Sequence, residues 1–146
     1  MTFSLAFFVH GKPEPGGSKR GFLVNGHVNI VDANPKVRAW KEKVRAHAGR
    51  AMLEAGLEPI DAPVALWCTF WMRRPKSHFK KDGSIRPDAP VLHSMKPDGL
   101  KLRRPVEDAM SGVVYRDDAR VAKGYEEKLY DTGNLEGVSV VVRGLP

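Results

Sequence analysis

With 146 residues, 42% apolar and 28% charged, the sequence has the size and composition of one globular domain spanning 1–146, which excludes fibrous and disordered classes. Its apolar runs fall far short of the roughly 20 residues of a membrane-spanning helix, and the lone Cys68 excludes an intramolecular disulfide or a Cys-rich zinc site, so a reduced, cytoplasmic protein with no membrane partner is expected. The net charge of +7 is uneven, with 19 Lys/Arg against 9 Asp/Glu over residues 1–105 and 5 against 8 over 106–146, which points to a polyanion, nucleic acid first.

In chain order, Phe3–Val9 is apolar and Phe-rich and predicts a strand. Gly11–Gly21 (GKPEPGGSKRG) is a loop by its Gly, Pro and basic content. Phe22–Val31 has Asn25-Gly26 at its centre, the dipeptide of tight hairpins. Asn34-Pro35 offers an N-cap and first-turn residue to a helix with the apolar stripe Val37, Trp40, Val44, Ala48, Ala51, Met52 and Ala55, stopped by Gly56. Its other faces carry Lys36, Arg38, Lys41, Lys43, Arg45, His47 and Arg50, either a solvated basic face or a phosphate-contact surface.

Pro63–Met72 (PVALWCTFWM) predicts a buried strand in which Trp67, Phe70 and Trp71 are core residues and Cys68 is a packing residue. Arg73–Ser94 reads as a long loop dense in Lys and Arg, the first choice for a nucleic-acid-contacting segment. Lys96–Met110 is partly helical, with a stripe of Leu102, Val106, Ala109 and Met110. SGVVYRDDARV predicts a turn, a short strand and a polar tip, and Gly124–Tyr130 and Gly137–Val142 predict two closing strands. The order predicts an α/β domain of mixed, α+β type: a mixed β-sheet with two main helices and no regular βαβ alternation.

Five carboxylates, Asp98, Glu107, Asp108, Asp117 and Asp118, fall within Lys96–Val121, among Lys96, Lys101, Arg103 and Arg104. Oxygen ligands of this kind suit Mg²⁺ or Mn²⁺, which activate water and stabilise the leaving oxygen of a phosphodiester, while a neighbouring Lys or Arg stabilises the developing charge. Each also has a structural reading: Asp98 as an N-cap, Asp108 as an i,i+4 partner of Arg104, and Asp117-Asp118 as a solvated turn. No nucleophile elbow, phosphate-binding glycine loop or paired-histidine zinc spacing occurs.

KPDGLKLRRPVEDAMSGVVYRDDARV resembles the signature region of the RusA family of Holliday-junction resolvases, KPD-x-DN-L-x-K-x-x-x-DAL-x-G followed by DD-x-Q-[IV]. GKPEPGGSKRG resembles the family's N-terminal Gly-x-Pro loop, NPKVRAWKEKVRAHA stands where the first helix does, PVALWCTFWMRRPKSHF resembles the strand leading into a basic loop, and EGVSVVV the final strand. The resemblance implies a RusA-like α/β fold assembled as an intertwined homodimer. It also implies Mg²⁺-dependent endonuclease activity on branched DNA, the four-way junction, in phage or prophage recombination. On that resemblance Asp98 and Asp118 bind the metal with Asp117 as auxiliary, Arg104 and Lys101 stabilise the scissile phosphate, and Asp108 is structural. Lys36, Lys41, Arg73, Arg74, Lys76, Lys80 and Lys81 are the expected contacts to the DNA backbone.

The chain departs from the signature at four positions. Leu100 stands where the second Asp of D-x-D belongs, Lys101 replaces Asn, Arg104 replaces Lys, and Pro105 enters the helix, to kink it or to mark its start. Three readings of Leu100 follow. Glu107, Asp117 or Glu126 completes the site; one ion held by Asp98 and Asp118 suffices, with Lys101 or Arg104 supplying positive charge; or the chain is a non-catalytic module that binds junctions without cutting them.

Overall fold

The computed structural model describes residues 3–17 and 19–146, with Asp32 described in its backbone alone. Met1, Thr2 and Ser18, which sequence reading puts in the N-terminal stretch and the basic loop, lie outside the described residues. Strand β1 (Ser4–His10) is followed by a hairpin, β2 (Lys19–Val24) and β3 (His27–Asp32), then helix α1 (Val37–Glu54), strand β4 (Val64–Met72), helix α2 (Gly99–Met110), and strands β5 (Val121–Tyr130) and β6 (Gly137–Gly144). The main sheet has the order β1-β6-β4-β5. β6 runs antiparallel to both β1 and β4, while β4 and β5 are parallel and α2 lies in the crossover between them. This is the mixed sheet with two helices that the sequence predicts.

Side chains alternate across a strand, so β4 sends Leu66, Cys68, Phe70 and Met72 to the face shared by Val138, Val140 and Val142. These pack with Trp40, Val44 and Met52 of α1 and Leu102, Val106 and Met110 of α2 into one buried cluster, each large side chain contributing about 1.5–3 kcal/mol. The same alternation sends Trp67 and Trp71 to the opposite face, where they are half-buried. There Trp67 stacks on Tyr125 at 5.4 Å and the Trp71 Nε1–H donates to Ser139 Oγ at 3.3 Å. Of the three aromatics expected in the core, Phe70 alone is there.

Helix α1 starts later than its cap signal. Asn34 Oδ1 accepts the Lys36 N–H at 3.1 Å and its carbonyl accepts the Val37 N–H, so Asn34 builds a lead-in turn. The helix ends in a Schellman motif: Gly56, at φ +66°, donates to Leu53 and Leu57 donates to Met52. Asn25 and Gly26, at φ 50° and 78°, turn the β2–β3 hairpin as expected. Every described side chain from Lys19 to Val31 is exposed, including Leu23 and Ile30.

Pro105 does not start α2, which runs through it. A proline cannot donate to the carbonyl four residues back. Here that carbonyl, of Lys101, accepts the Gly16 N–H of the N-terminal loop at 2.9 Å. Gly16 is needed there, since a β-carbon on it would lie 2.7 Å from Pro105 Cγ.

The 73–94 segment is more ordered than a flexible loop. Its Lys76–His78 turn leads into a miniature ladder in which Phe79 bridges Ile85, and Leu92 bridges Leu129 of β5. Residues 111–117 form no named strand. Val114 and Tyr115 are instead buried, and Ile60 bridges Tyr115.

Candidate active site

Asp98 is the N-cap of α2: its Oδ1 accepts the Lys101 N–H at 2.9 Å, the structural role its position suggests. It faces a cavity of about 620 Å³ with Lys96, Lys101, Lys128, Pro15 and Asn34 among its walls. Lys128 holds the approach to the helix, its ammonium donating to the carbonyls of Met95 and Pro97. Asp98 therefore shares its cavity with three lysines.

The other end of the helix gathers carboxylates. Asp108 and Asp118 meet within hydrogen-bonding contact, Glu107 and Asp118 are close enough to repel, and Lys41 stands 3.9 Å from Asp108. Burial raises the carboxyls of both Glu107 and Asp108 above the usual carboxylate range. Arg103 opposes the rise at Glu107 and Lys41 opposes it at Asp108, while the Asp118 charge adds to it at both. Arg104, Lys19 and Lys41 line a small adjoining cleft with Gly16, Gly17 and Asp108.

Ten residues of helix separate Asp98 from Asp108, roughly 15 Å at 1.5 Å per residue. The structure places Asp118 beside Asp108, towards the opposite end of α2 from Asp98. Asp108, expected to be structural, is the residue that Asp118 meets. Glu126 is taken up by Arg103 at 2.9 Å. Asp117 caps the Asp118–Arg120 turn through the Ala119 N–H, with Arg120 at 3.8 Å. Leu100 is 64% exposed. Among the described residues no three His, Cys, Asp or Glu side chains gather closely enough to cage an ion.

The expected DNA contacts divide. Lys36, Arg73, Lys76, Lys80 and Lys81 are exposed, and Lys41 is half-buried beside Asp108. Arg74 is buried: its guanidinium donates to the carbonyls of Asp131 and Pro90, both at 2.8 Å, and lies over the Tyr130 ring. It ties the 73–94 segment to the end of β5 and is not presented to DNA.

The family model of endodeoxyribonuclease RusA matches residues 11–143. The chain belongs to the RusA family. Membership carries the family's class of activity, endodeoxyribonuclease action on Holliday junctions, generally with divalent metal ions. The chain is also 28% identical over 128 residues to the uncharacterized protein YqaN of Bacillus subtilis (strain 168), covering 86% of this chain and 87% of that one. Among the described residues no helix is long and apolar enough to cross a membrane.

Within this RusA fold one positioning residue escapes sequence reading. Asp61 pairs with Arg116 at 3.0 Å and Arg120 at 2.7 Å, clamping both sides of Asp117-Asp118. The two guanidiniums hold its carboxyl below the usual range. Tyr115 anchors the same segment, its hydroxyl donating to the Glu107 carbonyl. An acid 56 residues ahead of the pair, in a loop, carries no local signal of this role.

Proposed function

We propose that this chain is a metal-dependent, structure-specific endodeoxyribonuclease that resolves four-way junctions as a homodimer. Its setting is the bacterial cytoplasm, in phage or prophage recombination. The observation that carries the reading is the contact between Asp108 and Asp118 beside Arg104 and Lys41. Neighbouring carboxylates repel one another unless a proton or a cation offsets their charge. Their hard oxygens suit Mg²⁺ or Mn²⁺, and Mg²⁺ is commonly held by one or two carboxylates, with waters and substrate phosphates filling the rest of its shell. The donor set fits, and Asp108 and Asp118 would hold the ion. When bound, the ion lowers the pKa of an attacking water and offsets charge on the scissile phosphate.

The chain's own residues do the rest. Arg104, exposed at the edge of the cleft, orients the phosphate and offsets charge as it develops on the equatorial oxygens. Lys41, 3.9 Å from Asp108, opposes the rise that burial imposes on its carboxyl. Asp117 and Asp61 hold the turn that presents Asp118. Asp98 and Lys101, at the far end of α2, serve the helix start and the DNA backbone alongside Lys96. Lys36, Arg73, Lys76, Lys80 and Lys81 add phosphate contacts that fix position without reading sequence, so affinity falls steeply with salt.

The hairpin supports the dimer. A two-stranded ribbon is marginal by itself, and this one exposes Phe22, Leu23, Val28 and Ile30. A second copy gripping that arm covers its apolar surface, and two related sites cut two strands of like polarity.

The test is a nicking assay on a synthetic mobile four-way junction beside a linear duplex, with Mg²⁺, Mn²⁺ or EDTA, and with Asp118→Asn as control. Symmetric, metal-dependent nicks on the junction that vanish in the variant are expected. Tight junction binding without cleavage under any ion replaces this reading with that of a non-catalytic junction-binding module.

A further inference from the structure

Beyond the carboxylates lies a larger concavity, of which the proposed cleavage uses only the rim cations Arg73 and Lys76. It sits at the carboxyl ends of the parallel strands β4 and β5, between the 73–94 segment and the loop after Tyr130, and measures about 1100 Å³. That is slightly above the usual size range of small-ligand clefts, and the carboxyl ends of parallel strands are where such sites form in α/β folds. Its walls combine three kinds of chemistry. Arg73 and Lys76 are cationic and exposed, Phe79 and Ile85 are apolar, and Asn134 and Thr132 offer an amide and a hydroxyl.

The walls are built and not incidental. Arg74 is spent on carbonyls on both sides of the concavity, and its guanidinium covers one face of Tyr130. His78 and His93 approach the same ring at 4.7 and 4.8 Å. Tyr130 is thus enclosed, which leaves Phe79 as the aromatic surface open to a ligand, 37% exposed and fixed by its bridge to Ile85. Asp131, the acid in the wall, turns its carboxylate to the amides of Gly133 and Leu135, both at 2.9 Å, so it satisfies its own loop. Met95 lines both this concavity and the neighbouring cavity of Asp98, Lys96 and Lys101, so the two open side by side.

A planar aromatic group carrying an anion, next to a run of further phosphate contacts, describes a nucleotide within a strand. In a duplex the base is stacked and hidden, whereas at a branch point it is free to leave the stack. We propose that this concavity holds an unpaired nucleotide of the branched DNA, its base stacked on Phe79 and its phosphate against Arg73 and Lys76. The next phosphates then run towards Lys96 and Lys101. This rests on the reading of the chain as a branched-DNA nuclease and gives it a site that distinguishes a branch from a linear duplex.

The experiment uses the full chain and DNA carrying 2-aminopurine in a single-stranded flap, with a fully paired duplex and the free 2-aminopurine deoxynucleotide as separate arms. Wild type is expected to quench the probe in the flap, with little change in the duplex or the free nucleotide. Phe79→Ala is expected to lose the quench and about tenfold in flap affinity, while duplex affinity stays within about twofold. Phe79→Trp is expected to keep both. Loss of duplex and flap affinity together in Phe79→Ala, an unchanged quench in that variant, or failure of Phe79→Trp to retain it overturns the proposal. Equal quenching of the free nucleotide overturns it in favour of a mononucleotide site. Junction nicking by the same wild-type preparation separates the two readings: nicking without the quench removes this site alone, and the quench without nicking removes the nuclease alone.

Discussion

The two ends of α2 hold the same ingredients in opposite arrangement. At the N-terminus one carboxylate, Asp98, bonds a backbone amide and faces Lys96, Lys101 and Lys128. At the C-terminal end Asp118 lies near both Asp108 and Glu107, and burial raises the carboxyls of Glu107 and Asp108. The first acid has a bonding role in the fold, while the second group carries like charges that repel. The charge environment of each acid is decided by what surrounds it and not by the number of acids in the sequence.

The largest effect expected from this contrast is on cleavage. Asp118→Asn and Asp108→Asn should each lower junction nicking on the order of 10³-fold, the scale of losing a metal's charge stabilisation, in a single-turnover assay at saturating Mg²⁺. Leu100→Asp, which restores a carboxylate at the other end, should change the rate by less than roughly threefold. A tenfold gain in Leu100→Asp would move the metal to the N-terminal end and break the contrast.

Next in size is the contact that ties the N-terminal loop to the middle of the helix. Gly16→Ala places a methyl 2.7 Å from Pro105 Cγ and should cost about 1–3 kcal/mol, read as a lowered denaturation midpoint at constant slope. Smaller again, Asp98→Ala removes the cap of α2 and should cost about 1 kcal/mol in the same measurement, with the nicking rate otherwise retained. Retention of full stability would mean that Asp98 does more for a ligand than for the helix.

The smallest effect separates the ends by pH. Carboxyls raised by folding contribute stability that is present below the unfolded carboxylate pKa and is lost as pH rises through the folded value. Glu107 and Asp108 therefore weaken the metal-free protein towards neutral pH. In EDTA, Tm of Asp118→Asn should gain on wild type as pH rises through the mildly acidic range, because one of the repelling charges is gone. Millimolar Mg²⁺ should raise Tm of wild type and leave that of the variant unmoved.

Much of the fold was legible because its signals are local. Asn25-Gly26 set the hairpin, Gly56 stopped α1, and the run VALWCTFWM gave β4, each through backbone geometry that a few residues fix by themselves. What was not legible depends on distant partners. Trp67 and Trp71 read as core, yet which face of a strand is covered is decided by where the helices pack. Arg74 read as a DNA contact because its charge is local, whereas the carbonyls of Pro90 and Asp131 that bury it come from elsewhere. The carboxylates of this region were all marked in the sequence, but which of them neighbour one another was not. A spacing of ten from Asp98 to Asp108 says where two residues lie along a helix, and nothing about which of them the Asp118 turn will reach.

The bond between Gly16 and Lys101 has one further consequence. In an ordinary helix the amide that guards a carbonyl belongs to the same helix, so its exchange with solvent deuterium reports fraying and unfolding together. Here Pro105 has handed that duty to an amide 85 residues away in the chain. The Gly16 proton can exchange only when the N-terminal loop parts from α2. Its protection factor therefore records how firmly those two elements are latched, separately from whether the helix itself is open.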